Sequence, residues 1–132
     1  YQQSKVIERM VEELMLDIRI VRISTVREPD GLALSSRNAY LDPCQRRSAP
    51  ALYSTMIAFA ARLHKGDDIG AQCEWAFQAL LDAGFDSVDY FEVRDADTLY
   101  PATANAPNLR IFAAARLGDI RLIDNMPVDP PK

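Results

Sequence analysis

Two runs late in the chain, "LRIFAAAR" (109–116) and "IRLIDN" (120–125), are joined only through Leu117, Gly118 and Asp119. Both have strand composition, and a short glycine-containing connection between such runs is a hairpin signal. A third run, "SVDYFEVRD" (87–95), is also strand-like. Together they predict a three-stranded, largely antiparallel sheet.

The helices that would cover this sheet precede it. Leu52, Tyr53, Met56, Ile57, Ala60 and Leu63 form an apolar stripe at helical spacing, which predicts a helix over about 50–64. Asp42 followed by Pro43 is a helix start, because Asp accepts backbone N–H bonds and Pro fits the first turn. Pro50 then imposes a break before the main helix. Ile69, Cys73, Ala76, Phe77, Leu80 and Leu81 give a further helix, with Gly84 as its C-terminal cap. Trp75 and Phe77 have core spacing on it.

The first 25 residues have a different character. Val6, Ile7, Met10, Val11 and Leu14 predict an amphipathic helix over about 4–15, and "IRIVRI" (18–23) alternates apolar and basic residues like a strand. A helix followed by a strand is the closing unit of an α/β sheet. One strand cannot make that sheet, and the chain opens inside a helical pattern without a methionine. The expected organisation is therefore α+β: residues 1–25 as the last helix–strand unit of a Rossmann-like domain, and residues 26–132 as a small second domain. The apolar faces of the first unit should contact the rest of the chain poorly. The proline-rich end, "PVDPPK" (127–132), is expected to fray.

Composition narrows the function classes. A formal net charge of −4 argues against a nucleic-acid binder, which carries a basic face. No apolar run approaches the ~20 residues of a membrane helix. Cys44, Cys73 and the lone His64 are too few and too scattered for a zinc site. Two isolated cysteines suit reduced thiols in a cytoplasmic protein.

Residues 24–42 read as a long loop, a length usually reserved for function or disorder. Within it lies "DGLALSSRN" (30–38). An enzyme that makes an acyl adenylate must stabilise charge growing on departing pyrophosphate, using preorganised donors. Ser35 and Ser36 offer rotatable hydroxyls, and Arg37 offers a planar fork matched to phosphate oxygens. Gly31 lets the backbone bend. Arg27, Glu28 and Asp30 read as local charge pairs that shape the loop, and Asp124 and Asn125 as turn residues. His64, beside Lys65, reads as a helix C-terminal residue that either favours the dipole when charged or has no role, rather than as a catalyst.

The stretch "TVREPDGLALSSRNAYL" (25–41) resembles the signature of the pantothenate synthetase (pantoate–β-alanine ligase) family. "YQQ" at the start, "DYFEVRDADTL" (89–99) and "AAARLGDIRLIDN" (113–125) resemble further family segments in the same order. The resemblance implies a ligase joining pantoate to β-alanine through a pantoyl adenylate, using ATP and magnesium and releasing AMP and pyrophosphate. It also implies a Rossmann-like nucleotidyltransferase domain followed by a C-terminal lid. Carried over by position, Val26, Leu34, Ser35, Ser36 and Arg37 bind ATP, with Ser35, Ser36 and Arg37 as the catalytic set on the phosphates. Gln3 hydrogen-bonds pantoate. The metal ligands and the histidine-containing nucleotide motif have no counterpart here, so no metal ligand is assigned, and the chain alone is expected to be inactive. A homodimer of the complete enzyme is a possible state. Two alternatives stand beside this reading: another adenylating enzyme of nucleotidyltransferase type, and a non-catalytic interaction module keeping a relic loop.

Overall fold

The computed structural model describes residues 1–102 and 108–129. In chain order the helices are α1 (Gln2–Glu13), α2 (Pro43–Ser48), α3 (Ala51–Leu63) and α4 (Ile69–Asp82). The strands are β1 (Ser87–Asp95), β2 (Leu109–Leu117) and β3 (Ile120–Pro127), and a 3-10 turn spans Ser36–Tyr40.

The sheet is antiparallel in the order β1-β2-β3, as its sequence patterns predict. Leu117 pairs with Ile120, so only Gly118 and Asp119 form the turn. Gly118 sits at φ +57°, a conformation costly for residues with a Cβ. The central strand β2 is buried on both faces. Ile111, Ala113, Ala115 and Leu117 join the main core, where α3 packs on α4 and α4 on β1. Phe112 and Ala114 point to the opposite face and are also buried. Tyr1 covers Phe112 there, with ring centroids 6.2 Å apart.

Each helix boundary has a local cause. Asp42 and Gln45 form a reciprocal capping box at the start of α2. Pro50 separates α2 from α3 as expected. Gly84, at φ +98°, ends α4, and the Phe85 N–H reaches back to the Leu80 carbonyl at 3.1 Å. The core under α3 and α4 is built on Leu52, Met56, Phe59, Leu80 and Phe91. Phe59 packs against Phe91 in a tilted pair 5.0 Å apart. Cys44 and Cys73 are both free. No helix among the described residues is long and apolar enough to cross a membrane.

Three expectations need correction. The segment 18–23 forms no strand, because a strand requires a ladder partner and none pairs with it among the described residues. Residues 24–42 are not one irregular loop: they hold an antiparallel bridge between Arg27 and Ala33 and then the 3-10 turn. The tail does not fray at its start, since Pro127 ends β3 and Val128 is buried with its N–H bonded to the Leu109 carbonyl. Residues 130–132 lie outside the described residues.

The weak attachment expected of the first 25 residues is observed. In α1 only Val11 is buried, while Val6, Met10 and Leu14 are exposed. Leu16, Ile18, Val21 and Ile23 are exposed as well. The unit's ties are few: Tyr1 packs on Phe112 and its hydroxyl donates to the Ala96 carbonyl at 2.9 Å, and Lys5 lies 3.6 Å from Asp97. The helix starts and stops about two residues before its apolar pattern, and Met15 at φ +50° follows its end.

Candidate functional site

The segment carrying Ser35, Ser36 and Arg37 begins as a narrow hairpin. The Leu34 N–H donates to the Val26 carbonyl at 2.9 Å, and the Glu28 N–H to the Leu32 carbonyl at 2.8 Å. Gly31 turns the chain at φ +91°, and a Cβ there would lie 2.6 Å from the Tyr53 ring. Leu32 drops into the core and anchors the tip. The chain then enters the 3-10 turn, where Ser35 caps the start by accepting the Arg37 N–H at 3.2 Å.

Charged groups brace this segment. Arg46 of α2 donates to Asp30 and to Glu28, each at 2.6 Å. The Asn38 amide donates to Glu28 at 2.9 Å and to the Ala33 carbonyl at 3.1 Å. Glu28 and Asp30 thus shape the loop as the sequence suggests, with α2 supplying the cation. Arg27 does something else: its guanidinium reaches Asp124 on β3 with both terminal nitrogens, at 2.5 and 3.0 Å. It also donates to the Gly31 carbonyl at 3.0 Å and stacks 3.6 Å over Tyr53. Asp124 is therefore a buried anion in the sheet rather than a turn residue.

The hydrogen bond from Arg46 is the main reason the Asp30 carboxyl sits below its ordinary value of 3.8. A carboxyl depressed in the folded state contributes stability above its unfolded pKa and loses it as pH falls through the folded pKa. The Arg46–Asp30 contact is therefore intact at neutral pH and is lost as pH falls through the depressed Asp30 pKa. A carbon-13 NMR titration of Asp30 is expected to give a midpoint under 3.8. A midpoint at or above that value would show that the brace is not formed in solution.

A cleft of about 350 Å³ opens between this segment, the start of α1 and the edge of β3. It gathers Gln3 from the first turn of α1 with Leu34, Ser35 and Arg37. Tyr90 and Arg121 line it from the sheet face that the helices leave open. Two sequence-predicted residues stand apart: Val26 and Ser36 do not line the cleft. Val26 contributes its carbonyl to Leu34, and Ser36 is an exposed residue opening the 3-10 turn.

Chemically, the cleft presents donors. The Ser35 oxygen accepts a backbone N–H, which leaves its hydroxyl proton free to donate. The Arg37 side chain makes no hydrogen bond or ion pair among the described residues, so its fork is uncommitted. Arg121 is held by Asp89 at 2.5 Å and keeps part of its fork. A concave site with rotatable hydroxyls and a planar cation suits phosphate oxygens. Among the described residues no group of three or more His, Cys, Asp or Glu is placed to hold a metal ion.

The sequence reading missed Tyr53, Asn38 and the partnership of Arg27 with Asp124. Strand parity held the missing signal: Asp124 shares the strand face of Leu122 and Met126, which pack in the core. An acid in such a register needs a buried cationic partner.

A sequence model of the family described as pantoate-beta-alanine ligase matches residues 1–127. The pantothenate synthetase of Paramagnetospirillum magneticum is 52% identical over 130 residues, covering 98% of this chain and 46% of that protein. The pantothenate synthetase of Dinoroseobacter shibae is 50% identical over 129 residues, with 97% and 46% covered. Among solved structures, pantothenate synthetase from Thermus thermophilus matches with a TM-score of 0.89 at 38% identity, over 98% of this chain and 47% of its own. A pantoate-beta-alanine ligase from Francisella tularensis, solved with beta-gamma ATP and beta-alanine, matches with a TM-score of 0.69 at 26% identity, over 99% of this chain and 41% of its own. The chain spans just under half the length of the curated relatives it matches.

Proposed function

Because the chain belongs to the pantoate–β-alanine ligase family, we propose that it forms the C-terminal part of an enzyme that condenses pantoate with β-alanine at the expense of ATP. In the first step a pantoate carboxylate oxygen attacks the α-phosphorus of ATP. The bond to the bridging oxygen breaks, and pyrophosphate leaves pantoyl adenylate behind. In the second step the β-alanine amine attacks the acyl carbon, loses a proton and expels AMP, giving pantothenate.

The roles proposed for this chain rest on the family resemblance and, for Gln3, Leu34, Ser35 and Arg37, on their place around the cleft. Gln3 hydrogen-bonds pantoate. Ser35, Ser36 and Arg37 donate to the ATP phosphates and to the charge that builds on pyrophosphate. Val26 and Leu34 offer backbone groups at the loop's base. The observation that carries this reading is the meeting of Gln3, Ser35 and an uncommitted Arg37 around one cleft, although 32 positions separate Gln3 from Ser35. The Francisella tularensis relative, with its ATP and β-alanine ligands, supports the same substrate classes.

Magnesium, which the family resemblance implies, finds no cluster of ligands among the described residues, and no step here passes through it. We place the boundary between the Rossmann-like unit and the lid at residues 25 and 26. The full-length enzyme would work in the cytoplasm, as a homodimer, with small molecules as its partners.

The test is product analysis on the full-length protein carrying this sequence. ATP, pantoate and β-alanine are expected to yield pantothenate, AMP and pyrophosphate in equal amounts. The 132-residue chain alone should show no turnover, because adenylation needs ATP and acid held together in one geometry. Turnover by the isolated chain near the full-length rate would contradict the division of labour. Activation of a different acid by the full-length protein would favour another adenylating enzyme, and no nucleotide binding at all would favour a non-catalytic module.

A further inference from the structure

We propose that Arg27 is a positioning residue of the phosphate-binding loop, fixing the placement of Arg37 and Ser35 by locking their hairpin to the sheet. The inference rests on the reading of the cleft given above. Arg27 does not itself line that cleft, but its partners Asp124 and Tyr53 do. It reaches the cleft through those two partners and through the hairpin that it shares with Ala33 and Leu34.

Four contacts converge on this one guanidinium. Two go to Asp124, whose side chain is 2% exposed, and one to the Gly31 carbonyl at the hairpin's bend. The fourth is the stack on Tyr53 of α3. The hairpin is thereby tied at once to β3, to α3 and to its own tip. Gly31 is seated against the same tyrosine, at a φ that other residues resist. Rotation of the guanidinium would move the bend and, through the Val26–Leu34 ladder, the residues that follow it.

An arginine suits this task for a geometric reason. A buried ion pair adds little net stability over an apolar pair of the same shape. What the planar fork does supply is a defined orientation, which a lysine at the same place would lack. The other braces, through Arg46 and Asn38, act within the loop and α2. Arg27 connects the loop to the sheet across 97 positions. The loop therefore moves with the sheet and helices of residues 43–129, and its donors travel as part of that body.

The experiment is single-turnover formation of pantoyl adenylate by the full-length enzyme, comparing the unchanged protein with Arg27→Lys and Arg37→Ala, singly and together. Arg27→Lys is expected to slow the step about 10–100-fold at full amplitude, as small misplacements of donors do. KM for pantoate should stay unchanged. In the Arg37→Ala background the same change should add little, because it acts through Arg37 and its neighbour. A merely structural role would lower the amplitude, by removing folded enzyme, and leave the rate alone. That outcome, an unchanged rate, or a full additional loss in the double variant overturns the proposal. Should Arg27→Lys not fold, Arg27→Gln, which keeps a planar donor and removes the charge, is read by the same criteria. No adenylate from the unchanged enzyme would instead sink the functional reading beneath it, and this inference with that reading.

Discussion

Arg37→Ala in the full-length enzyme is expected to slow adenylate formation by about 10²–10³, the usual loss for one donor aimed at developing charge. Arg37 is exposed and makes no side-chain tie among the described residues. Its removal should therefore change fold stability by no more than about 0.5 kcal/mol. Affinity for pantoate should hardly change, because the charge that Arg37 meets grows on pyrophosphate in the transition state. Arg37→Lys should recover part of the rate, since a point charge lacks the fork. Quench-flow measurement of the first turnover beside a thermal melt decides the matter. A normal rate in the alanine variant, or a variant that simply unfolds, would contradict a role on the phosphates.

Phe59→Ala is expected to have the largest effect on stability. Phe59 is fully buried in α3 and packs on Phe91. Truncating such a side chain costs about 3–5 kcal/mol, combining lost burial with the cavity left behind. For a domain of this size that corresponds to a fall in Tm of roughly 10–20 °C. Val6→Ser offers the contrast: Val6 is 65% exposed on α1, and its replacement should shift Tm little in the isolated chain. A thermal melt of the 132-residue chain compares the two. A shift below about 3 °C for Phe59→Ala would mean that α3 is not the centre of this core.

Most of the fold of the helices and sheet after residue 42 was legible because its signals are local. The hairpin at Gly118 and Asp119, the box at Asp42 and Gln45, and the cap at Gly84 each act over a few residues. Ser35 and Arg37 stood out by side-chain chemistry and both line the cleft, whereas Ser36 does not. The strand expected over 18–23 failed for the opposite reason. Alternation reports a chain ready to pair, while pairing itself depends on a neighbour that a local pattern cannot display. Arg27 and Asp124 were misread in the same way, as a local pair and a turn residue. They lie 97 positions apart, and only the packing of the hairpin against β3 brings them together. The grouping of Gln3 with Ser35 and Arg37 was implied by resemblance, not by spacing, and depends on how α1 sits against the open face of the sheet.

The most direct test of the central claim is a quench-flow experiment on the unchanged full-length protein with ATP and pantoate, but no β-alanine. The account predicts a burst of one pyrophosphate per active site, dependent on pantoate, followed by release of AMP and pantothenate when β-alanine is added. Pyrophosphate release that ignores pantoate, or that waits for β-alanine, would contradict it.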